Sequence, residues 1–268
     1  MAYRVIGEGQ PLVLLHGFGE NADVWHRQIS FLEKECLLIV PDIPGTGESG
    51  MLADMTMEGM ATAIKAILEE EKDILTMVSP NGDLVDGKVI MIGHSMGGYI
   101  TLAFASMYPD HLKAFGLFHS TAFADSEEKK ETRRKGIEFI RNHGAEAFLK
   151  TAVSNLFSPL TKDEKSEIIE GFSGGLAAFT DESLVAYYEA MIQRPDRTDL
   201  LKTTDVPVLF IMGKFDNAAP YQDVLRQTHL PTISHIHTLH RSGHMGMLEE
   251  TEKSNRILKE FLLEMEKW

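Results

Sequence analysis

Cysteine is almost missing from this sequence. Cys36 stands alone among 268 residues, which excludes an internal disulfide and fits a reducing compartment. It lies in the apolar run Cys36-Leu-Leu-Ile-Val40, so the role expected for it is that of a small buried hydrophobe rather than a reactive thiol. Long hydrophobic runs are also missing. No stretch reaches the roughly 20 apolar residues of a membrane span, and the N-terminus lacks the order of charged, apolar and small residues that marks a secretion signal. The expectation is a cytoplasmic protein with no membrane partner. Positive charge is scarce: 26 Lys and Arg face 40 Asp and Glu, a formal net charge of -14. A chain of that sign repels a phosphate backbone, which argues against nucleic acid as a partner. Neither internal repeats nor low-complexity tracts occur.

What is present is an alternation. Short apolar runs rich in β-branched residues occupy positions 11–15, 37–40, 89–92, 115–118 and 206–212. Their continuous apolarity predicts strands buried on both faces, as in a parallel sheet; residues 234–239 form a further strand candidate. Helical spacing fills much of the rest, over 57–71, 99–107 and 254–266, the last presenting Ile257, Leu258, Phe261, Leu262 and Met265 on one face. Strand–helix alternation predicts βαβ units and a doubly wound α/β fold. Residues 120–205 break the pattern with charged helical stretches at 126–142, 161–171 and 181–193 and no strand signal. The expected organisation is a core of residues 1–119 and 206–268 with a helical cap of residues 120–205. Charge runs such as Glu127-Glu-Lys-Lys-Glu131 read as solvated helix faces. Asn81-Gly-Asp83 and Asp86-Gly87 predict a turn-rich loop before the strand at Val89.

Two segments match G-x-S-x-G: Gly93-His-Ser95-Met-Gly97 and Gly171-Phe-Ser173-Gly-Gly175. The chemistry wants a nucleophile on a sharp turn from strand to helix, flanked by glycines because side chains would clash there. Ser95 follows an apolar β-branched run and precedes a helical one. Ser173 follows a charged helical stretch and reads as the end of a helix. A serine hydroxyl needs a base, and the base needs a carboxylate to orient it. His244, in the short loop Ser242-Gly-His-Met-Gly246 after a strand, is the candidate base. His16 and His94 sit at strand ends beside glycine and read as turn braces. Asp216, just after the strand at 206–212, is the candidate acid, with Asp125 as the alternative. For a developing oxyanion the backbone N–H groups of Phe18, in His16-Gly-Phe-Gly-Glu20, and Met96 are the candidate donors. His119, Phe123 and Phe157 are the expected pocket residues. A metal site at His235, His237, His240 and His244 is the weaker use of those histidines, so the reading needs no metal and no cofactor.

As a set, these motifs resemble the α/β-hydrolase superfamily. His16-Gly-Phe-Gly resembles its oxyanion turn, and Asp42-Ile-Pro-Gly-Thr-Gly-Glu-Ser49 a turn common in its esterase-like members. Gly93 to Gly98 resembles its nucleophile elbow. The resemblance implies an α/β, mostly parallel sheet of about seven to eight strands. The sequence departs from it at the start, where only Tyr3-Arg-Val-Ile6 fits ahead of Gly7-Glu-Gly9, so the first strand is expected to be missing or very short. It also implies a serine esterase acting on a small-molecule ester or thioester, with a homodimer left open. The same residues serve two alternatives. One is a carbon–carbon hydrolase or lyase acting on an acidic metabolite, for which the cap offers Arg133, Arg134, Arg141, Arg194 and Arg197. The other is a non-enzymatic small-ligand sensor.

Overall fold

The computed structural model describes residues 1–75, 87–173 and 179–268, so the turn signals at 81–86 lie outside the described residues. Strands β1 (Tyr3–Ile6), β2 (Gln10–Leu15), β3 (Cys36–Pro41), β4 (Val89–His94), β5 (Leu112–Phe118), β6 (Val208–Gly213) and β7 (Ser234–Leu239) form one sheet. Its order is β1-β3-β2-β4-β5-β6-β7. β1 pairs antiparallel with β3, and the other pairings are parallel. Only the short β1 precedes β2, as the sequence had suggested. β6 starts at Val208 rather than Val206 because Pro207 has no N–H for the ladder; its carbonyl still accepts from the Phe115 N–H at 3.2 Å.

Every residue of β3, β4 and β6 is buried, as the continuous apolar runs require. The edge strand β7 is only partly covered. Helices α1 (His26–Leu32), α2 (Met57–Glu70), α3 (Met96–Met107) and α9 (Thr251–Met265) cover the sheet as two pairs, α2 against α3 and α1 against α9. α3 is buried on nearly every side, which explains its lack of a polar face. α9 buries Ile257, Leu258, Phe261, Leu262 and Met265, the predicted apolar stripe. Cys36 is buried among these elements, and burial, helped by the nearby Glu35, pushes its thiol pKa up to about 12.

Between β5 and β6 all described regular elements are helical. The larger ones are α4 (Glu127–His143), α5 (Ala145–Val153), α6 (Pro159–Glu164), α7 (Ser166–Ser173) and α8 (Asp181–Gln193). Side-chain caps start three of them: Ser126 accepts from the Lys129 N–H, Ser158 from Thr161 and Thr180 from Ser183. No helix among the described residues is long and apolar enough to cross a membrane.

The strand order sets the position of the site. From β2 the chain steps outward to β3, then crosses back over β2 to β4. The order reverses between β2 and β4, and ligands of open α/β sheets bind at such a point, beyond the carboxyl ends of the strands. Register brings those ends level: Leu15 lies beside Gly93, His94 beside Phe118, and Gly213 beside Leu239.

Candidate active site

Ser95 leaves β4 in a conformation that side chains rarely adopt, with φ 51° and ψ -115°. Strain of this kind costs on the order of 1–3 kcal/mol and persists only where the surroundings hold it. Here the Ser95 N–H donates to Phe118 O (3.0 Å) and Ser95 O accepts from the Gly98 N–H (3.0 Å). The Ser120 hydroxyl donates to the same carbonyl at 2.7 Å. The glycines are required by space. A Cβ on Gly93 would stand 2.2 Å from Gly97 O, and one on Gly97 would stand 2.4 Å from Leu15 O. The turn after β2 passes against this elbow, since a Cβ on Gly17 would lie 3.1 Å from the Ser95 Cβ. The N–H groups of Phe18 and Met96 have no hydrogen-bond acceptor among the described residues. Ser173, by contrast, is the last residue of α7, with a helix rather than a strand before it.

His244 and Asp216 meet at the ends of β7 and β6. His244 Nδ1 lies 2.8 Å from Asp216 Oδ2, and the other carboxylate oxygen accepts from the Ala218 (2.8 Å) and Ala219 (2.9 Å) N–H groups. Burial alone would raise the Asp216 pKa, but the facing His244 and the hydrogen bonds from His119 and His244 hold it well below the usual carboxylate range. An ionised Asp216 places the His244 proton on Nδ1 and leaves Nε2 as a base. Ser95 and His244 line one cavity of about 150 Å³ together with Phe18, Gly19, Glu20, Tyr99, Lys129, Arg133, Leu149, Leu156, Tyr188 and Ala218. The Ser95 hydroxyl makes no hydrogen bond among the described residues. Asp125 is not placed to serve as the acid: Arg133 (2.6 Å) and Arg194 (2.9 Å) hold it.

A family model for the alpha/beta hydrolase fold matches residues 10–251. The chain belongs to this family. Among solved structures, a thermophilic esterase from Thermogutta terrifontis with malate bound is 30% identical, with TM-score 0.89, covering 98% of this chain and 93% of that one. A pimeloyl-[acyl-carrier protein] methyl ester esterase from Vibrio cholerae is 24% identical over 97% of this chain and 96% of its own length. A 2-hydroxy-6-oxononadienedioate/2-hydroxy-6-oxononatrienedioate hydrolase from Burkholderia vietnamiensis is 25% identical over 97% and 90%.

Within this α/β-hydrolase fold the three expected pocket residues stand elsewhere. His119 is fully buried beneath the cavity, with Nδ1 3.0 Å from Asp216 Oδ2. Phe157 is buried against Phe172 at 5.9 Å. Its neighbour Leu156 takes the cavity position instead, and the Leu156 carbonyl accepts from the His244 N–H at 2.6 Å. The Phe123 carbonyl accepts from Arg194 (3.0 Å), and its ring lies under Arg226, outside the cavity lining. Lys129, inside a charge run that reads as solvated, turns into the cavity.

The sequence reading misassigned one group and missed another. The first is His119 itself, a second histidine on Asp216. It follows β5 as Ser95 follows β4 and shares the positive φ, 51°; position at a strand end was the available signal. Burial lowers its pKa to about 4, against the pull of Asp216. The second is a buried ion pair, Glu20–His94, at 2.9 Å. Glu20 also accepts from the Gly17 N–H (2.7 Å), while His94 Nε2 lies 2.8 Å from the His244 carbonyl. One charge pair therefore ties the Gly17 turn to the histidine loop. Burial opposes both charges, but each holds the other ionised: the Glu20 pKa falls below and the His94 pKa rises above its ordinary value. His16 ties its turn after β2 to the turn after β3, its Nε2 accepting from the Ile43 N–H at 3.0 Å. Asp42 likewise accepts from the Ala22 (2.9 Å) and Glu48 (3.2 Å) N–H groups, a structural use.

As for metals, His119, Asp216 and His244 bring three ligand-type atoms within 4.8 Å of one another. Both imidazoles direct Nδ1 at the carboxylate, at 2.8 and 3.0 Å, the chemistry of a hydrogen-bond relay rather than a metal cage. His235 pairs with Glu264 (3.1 Å) on the edge strand.

Proposed function

We propose that the protein is a serine hydrolase that cleaves a small carboxylic ester or thioester through an acyl-Ser95 intermediate. The observation that carries this reading is the shared cavity: Ser95, on a strained elbow, opens into the space lined by His244, and His244 is backed by the ionised Asp216. In the first half-reaction Ser95 Oγ bonds to the substrate carbonyl carbon while its proton passes to His244 Nε2. The carbonyl oxygen takes the negative charge and accepts from the Phe18 and Met96 N–H groups. The bond to the leaving oxygen or sulfur then breaks, and His244 returns the proton to it. In the second half-reaction His244 takes a proton from water, which attacks the acyl carbon. The bond from that carbon to Ser95 Oγ then breaks as His244 returns the proton to Oγ, releasing the acid and restoring the serine hydroxyl. Throughout, Asp216 keeps the proton on His244 Nδ1 and offsets the imidazolium charge.

The cavity bears on substrate size. The space of about 150 Å³ at Ser95 is partly open to solvent and has the volume of a cavity that holds benzene, which suits a short group beside the reacting serine. The decisive test is rapid-quench mass spectrometry on short p-nitrophenyl esters. The expected result is a burst of nitrophenol with the acyl mass on the Ser95 peptide; turnover with no covalent species would overturn the acyl-serine reading. A second reading applies the same residues to a carbon–carbon bond. It is favoured by the two cations in the cavity, which suit an acidic substrate, and it predicts poor turnover of simple esters.

A further inference from the structure

The cavity wall opposite the strand ends is charged in a way that ester hydrolysis does not require. Lys129 and Arg133 lie four residues apart on α4, hence on one face of that helix, and both line the cavity. Asp125 engages part of Arg133, through Nε (2.6 Å) and Nη2 (3.4 Å), leaving the Nη1 donors without a hydrogen-bond partner among the described residues. The same carboxylate also serves Arg194 at 2.9 Å, so one negative charge faces two guanidiniums. Lys129 has no carboxylate partner among the described residues; its ammonium donates to the Ala218 carbonyl at 2.6 Å, which leaves two of its three donors. Glu20, the only acid in the lining among the described residues, is engaged by His94 and the Gly17 N–H. The uncompensated positive field also registers at Tyr99, another lining residue. Burial would raise its pKa, yet the charges of Arg194, Lys129 and Arg133 bring it below its ordinary value.

In a chain whose net charge is -14, two cations directed into an apolar cavity need a counter-ion. We infer that Lys129 and Arg133 form an anchor for a carboxylate on the substrate, separate from the bond that is cleaved. The preferred substrate is then a short monoester or monothioester of a dicarboxylic acid, or an ester whose leaving group carries the acid. Arg133 supplies its Nη1 donors and Lys129 the two ammonium donors that Ala218 does not engage, both charge-assisted. A neutral ester of the same shape would leave these donors without that charged partner in a partly buried cavity, which makes the anchor discriminating as well as attractive. The inference rests on the serine-hydrolase reading for its kinetic test but not for its binding test.

The kinetic test compares monomethyl glutarate with dimethyl glutarate, which present the same scissile bond. Wild type should prefer the monoester in kcat/KM by roughly 10- to 100-fold, the range for one or two hydrogen bonds to charged groups. Arg133→Gln should collapse that ratio. Because Arg133 also holds the buried Asp125, Lys129→Glu is the companion variant: its side chain is only partly buried and bonds a single carbonyl. It should invert the preference toward the diester. Calorimetric binding of glutarate against glutaramide gives the second readout. Glutarate should bind wild type at least tenfold more tightly than the diamide and lose that advantage in Lys129→Glu. A wild type that hydrolyses both esters equally, with the ratio unmoved by either variant, overturns the anchor and leaves the hydrolase reading standing. If neither ester turns over but glutarate binds selectively, the anchor stands and the hydrolase reading fails. Equal binding of glutarate and glutaramide overturns the anchor whatever the turnover.

Discussion

The two walls of the cavity are built on different principles. The strand-end wall carries Ser95, His244 and the Phe18 turn, each fixed by several hydrogen bonds and by glycines that admit no side chain. The opposite wall is helical, and its lining residues are apolar apart from Lys129, Arg133 and the Tyr188 hydroxyl. On the first wall a small displacement misaligns reacting atoms; on the second it alters which molecule fits. Substitutions on the strand-end wall should therefore act on kcat, and substitutions on the helical wall on KM and substrate choice.

The largest expected effect is Ser95→Ala, which should lower kcat on any accepted ester by about 10⁴- to 10⁶-fold, measured against Ser173→Ala as the control that leaves the rate in place. Asp216→Asn comes next, with a loss of about 10⁴-fold from the wrong tautomer of His244; an unchanged rate would move the acid elsewhere. Glu20→Gln loosens the link between the Gly17 turn and the histidine loop. It should lower kcat by roughly 10-fold, the scale of one charged hydrogen bond, with KM little changed; a pure KM effect would place Glu20 in binding instead. On the other wall, Ala152→Phe fills space in the cavity. It should raise KM for the larger esters of a series by about 10-fold or more while sparing acetates; an equal loss on acetates would erase the distinction between the walls.

The smallest effect concerns stability and pH. His119 has a folded pKa of about 4 against an ordinary 6.5. Between those values the unfolded chain binds a proton that the folded chain does not. The His119 contribution is therefore full above pH 6.5 and is lost as pH falls toward 4. Asparagine tolerates the positive φ of this position and can still donate to Asp216. Urea unfolding of His119→Asn across pH 4 to 7 should show a shallower decline than wild type; parallel curves would contradict the neutral, buried assignment of His119.

The same contrast explains what the sequence made legible. Ser95 and Asp216 each follow an apolar strand and His244 follows the mixed strand β7, so one-dimensional order was enough to nominate them, and the parallel register brings their strands' ends level. The inner strands of the sheet were readable for a related reason, since strands buried on both faces leave continuous apolar runs. Glu20–His94 was not readable because its members are 74 residues apart and meet only through the β2–β4 pairing. His119 was seen but misplaced: a residue after a strand can point into the cavity or beneath it, and Gly246 leaves the room beneath, since a Cβ there would stand 2.3 Å from His119 Nε2. In the helical wall a charge run does not show which member faces inward. Lys129 and Glu128 are neighbours in sequence, yet only Lys129 lines the cavity.

The central claim, that Ser95 rather than Ser173 is the nucleophile, is tested most directly by a fluorophosphonate probe followed by peptide mass mapping. The account predicts a single adduct on Ser95 that is lost in Ser95→Ala and retained in Ser173→Ala. An adduct on Ser173, or labelling that survives Ser95→Ala, would contradict it.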